Sequence, residues 1–474
     1  MQKGIGYNGV VDKFVRLSKA EKKAFTKARA RERKQDRKRA KEDLNSMRDL
    51  SLTEYHFSDG FRRVFPYYHV FKAYAKRRWI NRNIFDVLNS EFNVASDSLI
   101  KKRIASGDIR INDQATTPDY ILKDLDLLSH RVHRHELPIL DLPIKIIYEN
   151  DDILVVNKPP SMPAHPCGVY GFNSLLTILA KEMDRSKVRL LHRLDRVTSG
   201  IMIFAKNYDK ANELAALIKS RSVEKYYLCS VEGNFIEKYG TEAKVVEKAL
   251  GSLCPKMGLQ WIDEVHGKSA FTAFKGIAYS KELDETLVLC RIYTGRTHQI
   301  RIHLQYLGFP IKNDPLYNTK AWGPTKGTLG QYTEPKELLV ENITKERSKD
   351  LYYTYFDRDI PSSEGPSEKI PRDEFYCPNC DVCNQKTKPI DPPRDNLILR
   401  LHSYHYKLPD MKFSALPLPP WSEEYTRESG QEVILSLIDK SIEEDFDNIQ
   451  FVDSALACST LRHSSGDEED TQNM

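Results

Sequence analysis

The chain has 474 residues, 40% of them hydrophobic and 29% charged, with a net charge of +5 and a mean hydropathy of −0.54. That length implies two or three domains and excludes a peptide hormone or a small disulfide scaffold. No stretch approaches the roughly 18 consecutive apolar residues of a membrane span, and eight scattered cysteines make no disulfide framework, so a soluble protein of a reducing, intracellular compartment is expected.

Charge is unevenly spread. Lys19 to Lys41 holds 12 Lys/Arg against 3 Asp/Glu, a net +9, whereas Ser422 onward holds 14 Asp/Glu against 3 Lys/Arg, a net −11. The body between them is basic in its own right, which points to an anionic partner, with nucleic acid the first candidate. Residues 1–60 are expected to form a basic, partly disordered or helical arm. Phosphate contact, nuclear localisation and a merely solvated leader all fit it.

Residues 66–135 read as a small folded unit. Ile84, Val87 and Leu88 have helical spacing, Leu99, Ile100 and Ile104 suggest a second helix, and Gly107 to Asn112 a turn and short strand. This pattern resembles the α-L RNA-binding motif, which would present Lys101, Lys102 and Arg103 to RNA; a generic helix-strand module is the alternative.

From 138 to 421 the texture is of apolar strands separated by turns. Strands are predicted around 144–148, 153–156, 200–205, 226–231, 270–274 and 287–293, and helices around 174–183, 210–218 and 297–307. In the last of these, Thr297 is the expected cap and Ile300, Leu304 and Leu307 share a face. Residues 320–395 lack periodicity and are taken as an insertion before returning strands near 397–401 and 413–415. The fold class is α+β with a mainly antiparallel sheet. Residues 422–474 are expected to be an acidic, mostly disordered tail with one amphipathic helix, Val433 to Ile442.

Three clusters carry chemistry. Leu191-His192-Arg193-Leu194-Asp195-Arg196-Val197-Thr198-Ser199-Gly200 holds a carboxylate between two arginines, whose charge favours its ionised form. Thr294-Gly295-Arg296-Thr297-His298-Gln299-Ile300-Arg301-Ile302-His303 places Arg296, His298 and Arg301 near a helix start, where anions are favoured. Lys225-Tyr226-Tyr227 heads a strand. Singly, each also reads as ordinary structure: a salt bridge, a charged helix end, sheet packing.

Together, in this order and preceded by Val155-Val156-Asn157-Lys158-Pro159, they closely resemble the RluA-type family of RNA pseudouridine synthases, over about residues 138–317 and again 397–421. His165-Pro166-Cys167-Gly168, the His133-Arg134-His135-Glu136 stretch and the insertion look more like its eukaryotic branch. The resemblance implies the pseudouridine synthase fold, Asp195 as the catalytic aspartate, Tyr227 as the tyrosine that stacks on the uracil and helps remove its C5 proton, and Arg301 as the arginine paired with Asp195. It also implies that Arg193 fills the stack vacated by the base. His192, Arg196, Lys225, Arg296 and His298 are taken as further RNA-binding residues. Where many relatives have Gly-Asp-x-x-Tyr this chain has Asn313-Asp314-Pro315-Leu316-Tyr317, and Asn313 is expected to adopt the left-handed conformation instead of Gly.

The reaction transfers no electrons and imports no group, so no cofactor is expected. Cys377, Cys380 and Cys383 form a weak zinc motif that His402 or His405 would complete. A zinc deaminase is rejected for want of His-x-Glu before a Pro-Cys-x-x-Cys, and a hydrolase triad for want of a nucleophile elbow. The remaining rival is a non-catalytic RNA-binding or chaperone protein of the same fold. Transfer RNA at the anticodon stem-loop is the expected substrate, with messenger or ribosomal RNA as alternatives. The expected location is cytoplasm or nucleus, because Asp12, Glu21 and the density of Lys through residue 41 suit a mitochondrial leader poorly.

Overall fold

The computed structural model describes residues 49–92, 97–348, 377, 380, 382, 383, 391–444, 446, 450 and 451. The chain divides into two units, Met1–Leu52 and Thr53–Met474. Of the first only residues 49–52 are described, so the basic run from Lys19 lies outside the described residues, as does the acidic end from Gly466.

The second unit is α+β and is built on an eleven-stranded sheet. Its strands run in the order Gln450–Phe451, Lys244–Glu247, Phe271–Ser280, Glu285–Ile292, Glu224–Glu232, Leu401–Lys407, Ser199–Ala205, Ile153–Lys158 and Lys145–Glu149. Arg189–Leu190 and Lys412–Ser414 pair at its sides. Among the described residues, the pairings are antiparallel except Ser199–Ala205 with Leu401–Lys407 and Lys244–Glu247 with Gln450–Phe451.

Alternation along one central strand separates the two faces. Tyr226 and Leu228 enter one apolar cluster, while Tyr227, Cys229 and Val231 enter the other, as a two-residue period requires. On the Tyr227 face the sheet packs against Leu175, Ile178 and Leu179 of the helix Leu175–Glu182, and Ile300, Leu304 and Leu307 of the helix Gln299–Leu307. At the parallel junction Gly200 has φ +113°, and a Cβ there would lie 2.2 Å from the Ser403 carbonyl oxygen. Only glycine lets these two strands approach so closely.

In the tail expected to be mostly disordered after Trp421, the amphipathic helix foreseen at Val433 to Ile442 is present, and a second helix precedes it. Glu423–Ser429 and Gln431–Glu444 are helices that bury Tyr425, Ile434 and Ile438 with Tyr226, Leu228, Leu287 and Leu289 on the second sheet face. Each buried isoleucine gains about 1.5–3 kcal/mol, against a few tenths lost to like-charged neighbours on the exposed side. The apolar stripe therefore outweighs the acidic composition.

Two more boundaries move. Part of the supposed insertion is core: Trp322 is buried with its Nε1 donating to Leu316 O at 2.7 Å, and Leu339 and Ile343 of the helix Lys336–Ser348 are buried too. The basic arm ends before residue 60, because Tyr55–Ser58 pairs with Phe61–Val64, which pairs with Ile139–Leu140.

Residues 67–134 make a separate four-stranded sheet, with Tyr67–Tyr74, Leu127–Arg134, Ile109–Ile111 and Gln114–Ala115 in that order. Its core gathers Ile84, Val87, Leu88, Ile100, Ile104, Ile109 and Ile111, the residues whose spacing marks the two helices and the strand. The strands Tyr67–Tyr74 and Leu127–Arg134 were not foreseen, since their apolar residues do not alternate regularly. Among the described residues no helix is long and apolar enough to cross a membrane.

Candidate active site

Asp195 sits in the loop that leads into the strand Ser199–Ala205. The loop is fixed from several sides. Thr198 N donates to Asp195 O at 3.1 Å, Leu399 N to Val197 O at 3.1 Å, and Lys158 Nζ to Arg196 O at 3.2 Å. Lys158 is fully buried and spends its other two N–H bonds on Pro159 O and Met162 O, at 2.9 and 2.8 Å. Burial lowers its pKa to about 7, against the pull of the Asp195 charge.

The Asp195 side chain is 23% exposed, enough to meet a substrate. Its Oδ2 lies 3.3 Å from Arg301 Nη1 and 3.5 Å from His298 Nε2. Burial raises its pKa, but the charges of His298, Arg301 and Arg193 outweigh that and hold it below the usual aspartate value. His298 itself is held down at about 4 by burial, despite Asp195, so at neutral pH the two arginines supply the charge.

Arg301 is buried on the helix Gln299–Leu307, and its fork is directed at Asp314: Nε donates to Oδ2 at 2.7 Å and Nη2 to Oδ1 at 2.8 Å. Asp314 is oriented in turn by the amides of Leu316 and Tyr317 at 2.9 and 3.1 Å. Below the guanidinium lies the Tyr317 ring, 4.9 Å away, whose hydroxyl bonds His298 Nδ1 at 2.8 Å. Asp314 and Tyr317 were quoted in the sequence motif without a role. Asn313 is not left-handed; its side chain bridges instead to Ile398 O and Arg400 N, at 2.6 and 3.0 Å.

The helix start also differs from expectation. Thr297 is exposed and the cap position falls on His298, at φ +57°. Gln299 closes this turn, its Oε1 accepting from Arg296 N at 3.0 Å and Thr294 Oγ1 at 2.8 Å. Arg296 is exposed, with Nε donating to Ser269 O at 3.2 Å.

Tyr227 faces the same site from the strand Glu224–Glu232, one strand removed from Ser199–Ala205. It is buried, and its hydroxyl lies 3.1 Å from that of Tyr406, a residue without an expected role. Burial, the Tyr406 hydroxyl and the Asp195 charge push the Tyr227 phenol well above its ordinary value, so it stays protonated. Lys225 Nζ lies 5.8 Å from the Tyr406 ring centre, and burial lowers its pKa to about 8.

His192 does not reach for RNA as expected: its Nε2 accepts from Ile203 N at 3.2 Å, and its ring packs on Tyr406 at 5.3 Å. Arg193 is exposed beside Asp195, and half-buried Arg196 lies 5.9 Å from the Tyr170 ring. Lys101 and Lys102 are exposed on the small sheet's helix Asp97–Ala105, while Arg103 is half-buried and 3.3 Å from His130 Nε2. The fold thus joins Asp195, Tyr227, His298, Arg301 and Arg193, and sets Lys101, Lys102 and Arg103 on another element.

A family model described as RNA pseudouridylate synthase matches residues 152–306. Pseudouridylate synthase RPUSD2 of Homo sapiens is 32% identical over 418 residues, which span 78% of this chain and 75% of the relative. The chain belongs to the RNA pseudouridylate synthase family. It is an RNA pseudouridine synthase of eukaryotic type, with the fold, enzyme class and RNA substrate that the sequence motifs imply. Two further relatives of this pseudouridine synthase come from Saccharomyces cerevisiae. One, named tRNA pseudouridine(32) synthase, mitochondrial, is 36% identical over 74% of this chain and 72% of its own. The other, named tRNA pseudouridine(31) synthase, is 30% identical over 80% of this chain and 99% of its own.

The first of these names overturns the expectation of cytoplasm or nucleus. That expectation rested on a few acidic residues and many lysines in the leader, and neither excludes import of a basic segment.

Proposed function

We propose that this pseudouridine synthase modifies transfer RNA in the anticodon stem-loop, that it does so in mitochondria, and that Asp195 is its catalytic carboxylate in a reaction needing no cofactor. The substrate rests on the two yeast relatives' names, and the location on the first of them alone. The chemical role rests on one observation: an ionised, partly exposed carboxylate held beside Arg301.

The isomerisation breaks the N1–C1′ bond, turns the uracil and forms a C5–C1′ bond; C5 loses a proton and N1 gains one. No electrons are exchanged. Asp195 acts on the ribose, by attack at C1′ or by taking the 2′ proton, and both steps require the ionised form. Arg301 maintains that form, and Asp314 fixes Arg301. Tyr227 serves as an aromatic wall with a protonated hydroxyl, which suits stacking and hydrogen bonding to the detached uracil.

The target uridine must leave its stack at a cost of a few kcal/mol, offset by about 1–3 kcal/mol from stacking on Tyr227. Exposed Arg193 enters the vacated space. Arg296, Lys101 and Lys102 contact phosphates, with residues 67–134 as an accessory RNA-binding unit, so binding weakens with salt.

The test uses the full chain and tRNA transcripts tritiated at uracil C5. Wild type should release tritium and place pseudouridine in the anticodon stem-loop, while Asp195→Asn should release none. Release from other RNAs in place of tRNA would refute the substrate, and release by Asp195→Asn the catalytic role.

A further inference from the structure

His133 and His135 lie at the end of the strand Leu127–Arg134 and just past it, where a two-residue period turns both rings to one side. Facing them are Cys380 and Cys383. His135 Nε2 lies 3.4 Å from Cys380 Sγ and 3.3 Å from Cys383 Sγ, and His133 Nδ1 lies 3.5 Å from Cys383 Sγ. All four ligand atoms fall within 4.8 Å of one another, and the four residues are half-buried or buried.

These separations are informative. Bonds of about 2.3 Å to sulfur and about 2.0–2.1 Å to nitrogen, at a tetrahedral angle, put ligand sulfur and nitrogen about 3.5 Å apart. The three Cys–His distances match that edge, which is the spacing of ligands sharing a single ion rather than divided between the two irons of a cluster. Two thiols and two imidazoles in a tetrahedron suit zinc. The turn is supported from within: Cys380 N donates to Cys377 O at 3.1 Å, and Cys377 N to Cys383 Sγ at 3.5 Å. Cys377 thus points its amide, not its sulfur, at the cluster. His402 and His405, the ligands expected from sequence, are used elsewhere, at Ser199 Oγ and Ser414 Oγ, each 2.8 Å away.

We propose that His133, His135, Cys380 and Cys383 bind one zinc ion as a closed structural site. It clamps the cysteine turn to the sheet Tyr67–Tyr74/Leu127–Arg134, next to the link into the catalytic sheet. There Arg134 Nη2 donates to Gly168 O at 2.8 Å, and Glu136 accepts from Phe172 N and Asn173 N at 2.8 and 2.9 Å. The site is separate from the Asp195 chemistry, and four protein ligands leave no position for a substrate.

The test is metal analysis of the full-length chain purified from zinc-supplemented cells under thiol reductant. Wild type and a Cys254→Ser control should each carry about one zinc per chain, and Cys380→Ser/Cys383→Ser at least tenfold less. Cobalt(II) added to stripped wild type gives a reading that needs no variant. Intense tetrahedral visible bands with thiolate charge transfer would support the site; a weak octahedral spectrum, zinc-free wild type or a double variant that keeps its zinc would overturn it.

Discussion

Arg301 gives its bidentate fork to Asp314, at 2.7 and 2.8 Å, and keeps a single longer contact, 3.3 Å, for Asp195. Two short charge-assisted bonds hold the guanidinium more firmly than one long one, so Asp314 fixes Arg301 and Arg301 tunes Asp195. The Asp195 carboxylate is thereby paired yet left open to a substrate.

Substituting Asp314→Asn should leave Arg301 buried with half its partner charge gone. Breaking a buried pair in this way costs about 3–5 kcal/mol of stability. Asp195→Asn, at the exposed end of the same chain of contacts, should cost far less. Denaturant unfolding of the two variants checks the order, and equal losses would contradict the hierarchy.

Tyr227 should separate binding from turnover. In an Asp195→Asn background, Tyr227→Ala is expected to weaken binding of the substrate RNA by about 1–3 kcal/mol, the value of one aromatic stack, whereas Tyr227→Phe should bind as the parent does. In the active enzyme Tyr227→Phe should slow product formation without changing KM. Fluorescence anisotropy and steady-state kinetics provide the two readings.

Buried histidines set the acid limit of stability. Burial holds His298, His303 and His402 at about 4, while an unfolded chain takes these protons near the ordinary value of 6.5. Between those values the unfolded state binds more protons, so stability falls as pH drops from 6.5 toward 4; these three rings alone take up about two to three protons on unfolding near pH 5, and His192, which burial holds at about 3, adds to them. Guanidinium midpoints across that range should decline; a flat profile would show that these rings titrate normally.

The tail helices test whether acidic composition or apolar spacing decides structure. Ile438 is fully buried on the second sheet face. Ile438→Ala should cost about 2–5 kcal/mol by leaving a cavity, with activity per folded molecule unchanged. A thermal midpoint equal to wild type would mean the helix does not dock.

Much of the site was legible because its chemistry is written in contiguous runs. Asp195, Arg301 and Tyr227 each stand in a motif of defined spacing, and two-residue alternation explains why Tyr227 rather than its neighbour Tyr226 faces Asp195. What escaped is what depends on pairing across long sequence distances. The strand Leu401–Lys407 slots between Ser199–Ala205 and Glu224–Glu232 and brings Tyr406 to Tyr227, and hydrophobic pattern alone does not specify that order. The His133/His135 pair was visible as a stretch of residues, but only the folded chain sets it against Cys380 and Cys383. Tail docking was hidden for a different reason, since net charge describes the exposed side of a helix and not the stripe it buries.

Carbodiimide-based pseudouridine mapping of total RNA from cells lacking the protein, rescued with wild type or with Asp195→Asn, tests most directly whether Asp195 performs uridine isomerisation. A discrete set of uridines, in the anticodon stem-loop of transfer RNA, should lose its signal and regain it with wild type alone. Full restoration by Asp195→Asn, or no site changing at all, would contradict the account.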